Sequence, residues 1–262
     1  MKVLDLKTSL SKGWENKMTN LLRFEFHKLR KQKRFYICTG VMVSLLLLSG
    51  VTTKALFGAS ASMTVADIML NAAGNSSFLM IAGIFAALHI CEDYEQQTIK
   101  NIYARGYTRN SVYFSKLISA WLSTTCMFLI VMLTSFAFGN IYFTTGSADV
   151  GKLTGVMVVQ YLVCMANISM FLALSTVFRK NGSSIAATIV FPMLVNMVLA
   201  LLDSYLKLEK IHLADYWISS LANGLSTLTM SKGKMVQYSV LAVIYCIIFI
   251  AFGRYFSKKE QL

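Results

Sequence analysis

The side chains able to do chemistry in this sequence crowd into one stretch. EDYEQQTIKNIYARGYTRNSVYFSKL, residues 92–117, carries Glu92, Asp93 and Glu95, then Lys100, Arg105, Arg109 and Lys116. Clustered carboxylates could hold a cation, but His or Cys at ligand spacing would have to accompany them in a transition-metal site. His27, His89 and His212 are scattered along the chain, so no metal site is expected, and His89 reads as a structural polar contact. The sequence has no G-x-x-x-x-G-K-[ST] phosphate loop, no G-x-S-x-G and no H-E-x-x-H, the spacings that cradle phosphate, expose a serine nucleophile or hold zinc. No catalytic residue is assigned, and the chain is not expected to be an enzyme. Cys38, Cys91, Cys126, Cys164 and Cys246 lie in or beside apolar runs without a C-x-x-C pair, which reads as free thiols packed as small hydrophobes. The remaining chemistry of 92–117 is electrostatic: a charged segment that docks something.

The elements that position this segment are apolar. The chain is 56% hydrophobic and 14% charged, against about 25% charged in an ordinary globular domain. No charge occurs in 35–53, 68–91, 117–148, 153–178, 181–202 or 235–253. A membrane-spanning helix needs about 20 mostly apolar residues, so these gaps predict spans near 35–53, 71–91, 117–139, 155–178, 184–202 and 235–253. Runs such as VSLLLLSGV do not alternate, which excludes a membrane β-barrel. The expected fold is all-α and polytopic. Residues 1–34 form an N-terminal segment, with a basic amphipathic helix over 14–31 lying on the membrane surface, and 35–262 form a six-helix membrane domain. The first span follows a long basic segment, which favours a retained helix over a cleaved leader despite the Ala59–Ala61 motif.

Charge sets the orientation. Nineteen Lys and Arg fall on the side of the termini and the 92–117 loop, and six on the other. Basic residues stay cytoplasmic, so both termini are expected inside a cell membrane. The net charge of +13 thereby serves topology and contact with anionic lipid, and no nucleic-acid partner is expected. On the outer side, 54–70 reads as a small-residue loop. Trp217, Leu221, Leu225 and Leu228 share one helical face in the last outer segment.

Within 92–117, the acids favour the first turn of a helix and the bases its later turns, as the helix dipole prefers. Gly106 stops that helix and Thr108 caps the next. A short charged helix at the mouth of two spans suits force transfer from a partner. Inside the membrane, Gln160 and Asn167 share a face, and Asn196 follows Pro192, which is expected to kink its helix. These three side chains read either as interhelical hydrogen bonds or as the lining of a substrate path or dimer seam. No span has an acid or base in its middle, as ion-coupled carriers usually do.

The pattern E-Y-E-x-x-T-I-K-N-I-x-A-R-G-x-x-R with the later S-K resembles the cytoplasmic loop of ABC-2 type permeases, the membrane subunits of bacterial ABC exporters. FEFHKLRKQKRFY, Phe24–Tyr36, is similar to that family's entry helix. Length and composition look most like the permeases of lantibiotic or bacteriocin immunity and export. The resemblance implies that Glu92, Tyr94, Glu95, Thr98, Ile99, Lys100, Arg105, Gly106 and Arg109 belong to a coupling helix seated on a separate ABC ATPase. It also implies a second permease subunit, identical or related. ATP and Mg would bind the ATPase partner, with no cofactor in this chain. The expected activity is outward movement of an apolar or amphipathic substrate such as a peptide antibiotic. A membrane sensor or scaffold that binds a cytoplasmic partner without transport would share this topology.

Cysteine labelling checks the orientation. In a background without native cysteines, Arg105→Cys is expected to react with an impermeant thiol reagent only after permeabilisation, and Asn223→Cys in intact cells. Labelling of Arg105→Cys in intact cells would overturn the topology.

Overall fold

The computed structural model describes residues 18–57, 64–143, 149–206, 213–225 and 231–259. The Ala59–Ala61 motif, Leu228 and residues 1–17 lie outside them. Helix α1 covers residues 18–31 and α2 covers Lys33–Phe57. They are followed by α3 (Val65–Gly74), α4 (Ser76–Glu95), α5 (Thr98–Ala104), α6 (Arg109–Tyr142) and α7 (Val150–Phe178). The chain continues through α8 (Asn181–Leu206), a 3-10 turn (Leu213–Tyr216), α9 (Ile218–Gly224) and α10 (Lys232–Lys258). No strand is present among the described residues. The chain is an all-α polytopic membrane protein: six helices among the described residues, α2, α4, α6, α7, α8 and α10, are long and apolar enough to cross a bilayer. A backbone in hydrocarbon must satisfy its own hydrogen bonds, which is why uninterrupted apolar runs become helices here.

The spans are unequal partners. About 78% of the apolar window of α7 is buried within the chain, against 6% for α8 and for α10, so α7 is the central post and the other two are rim. Buried Ile168, Met170 and Leu172 of α7 meet Phe85 of α4, Met127 of α6 and Ile218 and Leu221 of α9 in one core cluster. Helix α8 continues through Pro192 without a break.

The structure corrects the reading of 54–70 as a loop. Residues 65–74 form α3, whose Val65, Ala66, Ile68, Leu70 and Ala73 are buried. Thr64 and Asp67 close a capping box at its start, and Asn75 then caps α4 by accepting from the Ser77 N–H at 2.9 Å. The third span is also longer than its uncharged core of 117–139. Thr108 accepts from the Ser111 N–H at 3.3 Å, and α6 begins at Arg109 with 34 residues. At 1.5 Å per residue that is roughly 50 Å, well beyond the ~30 Å hydrocarbon core. Its first turns therefore stand clear of the apolar layer.

Close helix crossings depend on missing side chains. A Cβ on Gly83 of α4 would enter the Phe171 ring of α7 and the Thr188 methyl of α8. Gly83→Leu is therefore expected to lower stability by roughly 1–3 kcal/mol, the usual cost of overpacking. Gly182→Ala, which meets nothing, should be neutral. Thermal unfolding of the two purified variants in detergent compares them, and equal melting would contradict the crossing.

Candidate functional site

At the end of the bundle where α1, α4, α5 and α6 meet, the chain buries charge. Helix α1 turns Leu21, Glu25 and Leu29 inward, a spacing of four that keeps them on one stripe. Its other side exposes Phe24 and Phe26 among Arg23, Arg30 and Lys31. Leu21 packs with Ile99 and Ile102 of α5 and Val112 of α6, while Leu29 joins the main core. Glu25, between the two leucines, has no exposure to solvent.

Glu25 enters an ion network. Its carboxylate oxygens lie 3.4 Å from His89 Nε2 and 3.6 Å from Lys116 Nζ. Lys116 also binds Asp93 directly, and Lys28 Nζ donates to the other Asp93 oxygen at 2.5 Å. Gln32 Nε2 donates to Glu92 at 2.7 Å. That bond turns the Gln32 Oε1 toward His89 Nδ1, 3.2 Å away. His89 Nε2 lies 2.9 Å from Ser119 Oγ, and Arg34 approaches Glu92 at 3.5 Å. Burial alone would raise the Glu25 carboxyl pKa, but Lys116 and His89 lower it more, to about 2. The charges of Glu25, Glu92 and Asp93 balance those of Lys28, Arg34 and Lys116, as a buried set must to be tolerated.

Helix α5 stands on this network. The expected charged helix starting at Glu92 is corrected. Glu92, Asp93 and Glu95 form the last turn of α4, and Gln97, in the left-handed conformation at φ 56°, separates them from α5. The reason is competition. The acids find fixed partners at the end of α4, worth more than the 0.3–1 kcal/mol of a helix dipole. Gly106 ends the segment at φ 79° and Thr108 starts α6, both as expected.

The nine residues assigned to coupling therefore divide. Asp93 accepts from Thr98 Oγ1 at 3.1 Å, and Ile99 is buried against α1. Glu95 accepts from the Asn181 N–H at 2.7 Å and from the Asn181 side chain, capping the start of α8. Tyr94 lies under Arg179, 5.8 Å from the guanidinium. Arg109 Nη1 donates to the Lys258 carbonyl at 2.8 Å, tying α6 to the end of α10. Lys100, Arg105 and Gly106 are exposed, together with Asn101 and Ala104. The outward face is thus basic and narrow, and its inner face is fixed to three helices.

A family model described as ABC-2 family transporter protein matches residues 21–196 of the 262. The chain belongs to the ABC-2 transporter family. No curated protein matches the chain. The match begins at Leu21, the α1 residue that packs on α5, and takes in the whole ion network. It supports a membrane permease of an ABC transporter, a family of transport subunits that pair with an ABC ATPase and are generally not catalytic themselves.

The polar residues inside this permease do not come together. Gln160 is buried and its Nε2 donates at 2.9 Å to the carbonyls of Leu70 and of Leu225, stitching α3 and α9 to α7. Asn167 is buried and donates to Val163 of its own helix at 3.0 Å. Asn196, on the rim helix α8, accepts from Ser220 Oγ at 3.2 Å. Trp217, Leu221 and Leu225 are buried in the core; of the expected helical face, Leu221 lies within α9 and Trp217 and Leu225 flank its two ends. Glu25 went unassigned in the sequence. The one signal for it was an acid spaced evenly between Leu21 and Leu29 in an otherwise basic stretch.

Lys116→Met leaves Glu25 and Asp93 facing each other, and breaking a buried pair costs roughly 3–5 kcal/mol. Adding Glu25→Gln is expected to restore part of that loss. Chemical unfolding of the single and double variants measures the coupling, and simple additivity would exclude it. Because the Glu25 pKa is lowered, its contribution is present above the ordinary carboxylate range and is lost as pH falls toward about 2.

Proposed function

We propose that the chain is the membrane-spanning half of an ABC exporter that moves an apolar or amphipathic substrate, such as a peptide antibiotic, outward across the cell membrane. Both termini and α5 face the cytoplasm, in keeping with the excess of basic residues at that end. A separate ATPase hydrolyses ATP with Mg, and a second permease subunit completes the translocation unit. One observation carries this reading: α5 offers Lys100 and Arg105 outward while Ile99 and Ile102 hold it to α1 and α6. A helix pinned on one side and charged on the other can receive a push and pass it on.

The spans support the same division of labour. Their charges lie at the ends of the helices, so the membrane interior has no group to couple movement to a proton or ion gradient. The uncharged helices suit a substrate without a fixed charge.

The test is Lys100→Ala with Arg105→Ala. Both side chains are exposed and neither belongs to the ion network, so the fold should survive. Substrate-stimulated hydrolysis by the co-expressed ATPase is expected to fall about tenfold, as loss of central interface charges commonly does. Full stimulation and full co-purification with the ATPase would refute α5 as the coupling element. The isolated permease should hydrolyse no ATP, with a phosphate-loop lysine variant of the ATPase as the contamination control.

A further inference from the structure

Away from the ion network, a cavity of about 500 Å³ lies between α2, α3, α4 and α6. Ligand sites commonly span roughly 300–1,000 Å³, so it can hold a small molecule. Met42, Leu46, Phe78, Ile81 and Val131 make its apolar walls. A polar rim comes from Ser49, Thr52 and Thr53 of α2, Asn71 of α3, and Asn75 and Ser77 at the α3–α4 corner. Among the described residues no charged side chain lines it. Lys54, adjacent to Thr53, instead lies 4.7 Å over the Tyr142 ring.

The rim has a defined hydrogen-bonding character. Ser49 Oγ donates to the Leu46 carbonyl at 2.8 Å, and Thr52 and Thr53 both donate to the Ser49 carbonyl, at 2.9 and 2.8 Å. Asn71 Nδ2 donates to the Asp67 carbonyl at 2.8 Å. These hydroxyls have spent their only proton within the helix and can offer only lone pairs to a guest. The α2 side of the rim therefore accepts hydrogen bonds, while the amides of Asn71 and Asn75 and the Ser77 hydroxyl keep protons to give. No side chain there carries a charge to pair with an ion, and burying an unpaired ion is costly.

The two sides of the cavity differ in how they are enclosed. Gln160 fixes α3 through the Leu70 carbonyl. Only 17% of the apolar window of α2 is buried, and Leu45 and Leu48 on the cavity's edge are 44% and 61% exposed. A guest can enter sideways past α2 from the apolar layer.

We propose that this cavity binds a neutral amphipath whose head group carries hydroxyl or amide N–H donors and whose aliphatic tail lies against Met42, Leu46 and Phe78. The proposal deepens the export reading by naming its substrate class, and it rests on that reading only for the guest's being carried.

The test uses the full chain in phosphatidylcholine nanodiscs and a monoacylglycerol bearing a diazirine in its acyl chain. Photolabelling mapped by mass spectrometry is expected at 42–53 and 78–81. Ser49→Ala with Thr53→Val removes two acceptors from exposed or half-exposed positions and should reduce that labelling about tenfold, the worth of two ordinary hydrogen bonds. Ala72→Trp, which fills the cavity, should abolish it. The methyl ester of the same diazirine fatty acid, which has no donor, and the free carboxylate should both label weakly there. Equal labelling by either one, indifference to the Ser49/Thr53 variant, or label concentrated on the exposed α8 residues Met193 and Met197 would overturn the proposal. No ATPase is present, so this outcome is independent of the Lys100/Arg105 coupling test, and each reading can fail alone.

Discussion

Lys116 enters the bundle two turns into α6 with its ammonium group shut away from water, and its neighbours are arranged to offset that. Desolvating an ion costs several kcal/mol even after relaxation. Asp93 and Glu25 reach it from two different helices, Lys28 pairs with Asp93 in turn, and His89 Nε2 lies 3.4 Å from Glu25. A lysine on a flexible stem would otherwise snorkel outward. Because it does not, α1, α4 and α6 are held in one register. Helix α1 is thereby an integral wall, although its exposed Phe24, Phe26 and basic residues still suit a bilayer surface.

That fixed register decides what α5 can do. A seven-residue helix is too short to be stable alone, and its own sequence supplies only Ile99 and Ile102 as anchors. Leu21 and Val112 complete the contact, and the left-handed Gln97 and Gly106 bound it on either side. A second left-handed non-glycine residue, Arg179, turns the chain from α7 to α8 and lies over Tyr94 at the same end. Left-handed positions in non-glycine residues persist where the surroundings over-determine them, and here both lie where two spanning helices change direction.

The spans, Gly106 and Thr108 were legible in the sequence because each rests on a local signal: an uncharged run, a residue tolerant of positive φ, a side-chain oxygen before a helix. Helix α3 was legible in principle from Thr64-x-x-Asp67 before an apolar run, a capping-box spacing. Small residues around it obscured that signal. The partners of 92–117 were not legible. Whether Glu95 faces a partner or caps α8 depends on Asn181, 86 positions later, and Glu25 gains its role only when α4 and α6 close over it. Charge read along a chain reports how much there is, whereas its use depends on which distant helix packs beside it.

The burial pattern explains how motion could be confined. Helix α7 is enclosed, with Gln160 holding α3 and α9 against it, so that part of the bundle behaves as one body. Helix α10 packs along α7 more extensively than any other pair of helices, yet α2, α8 and α10 leave most of their own surface outside the bundle, as apolar faces that lipid or another subunit would cover equally well. Tight packing resists small deformations, so a displacement of α5 cannot be absorbed inside the α4–α6–α7 core. The direct ties from this end to the outer helices are Glu95 to α8 and Arg109 to α10. Those two bonds join rim helices to the charged end, and they come from residues immediately before and just after α5.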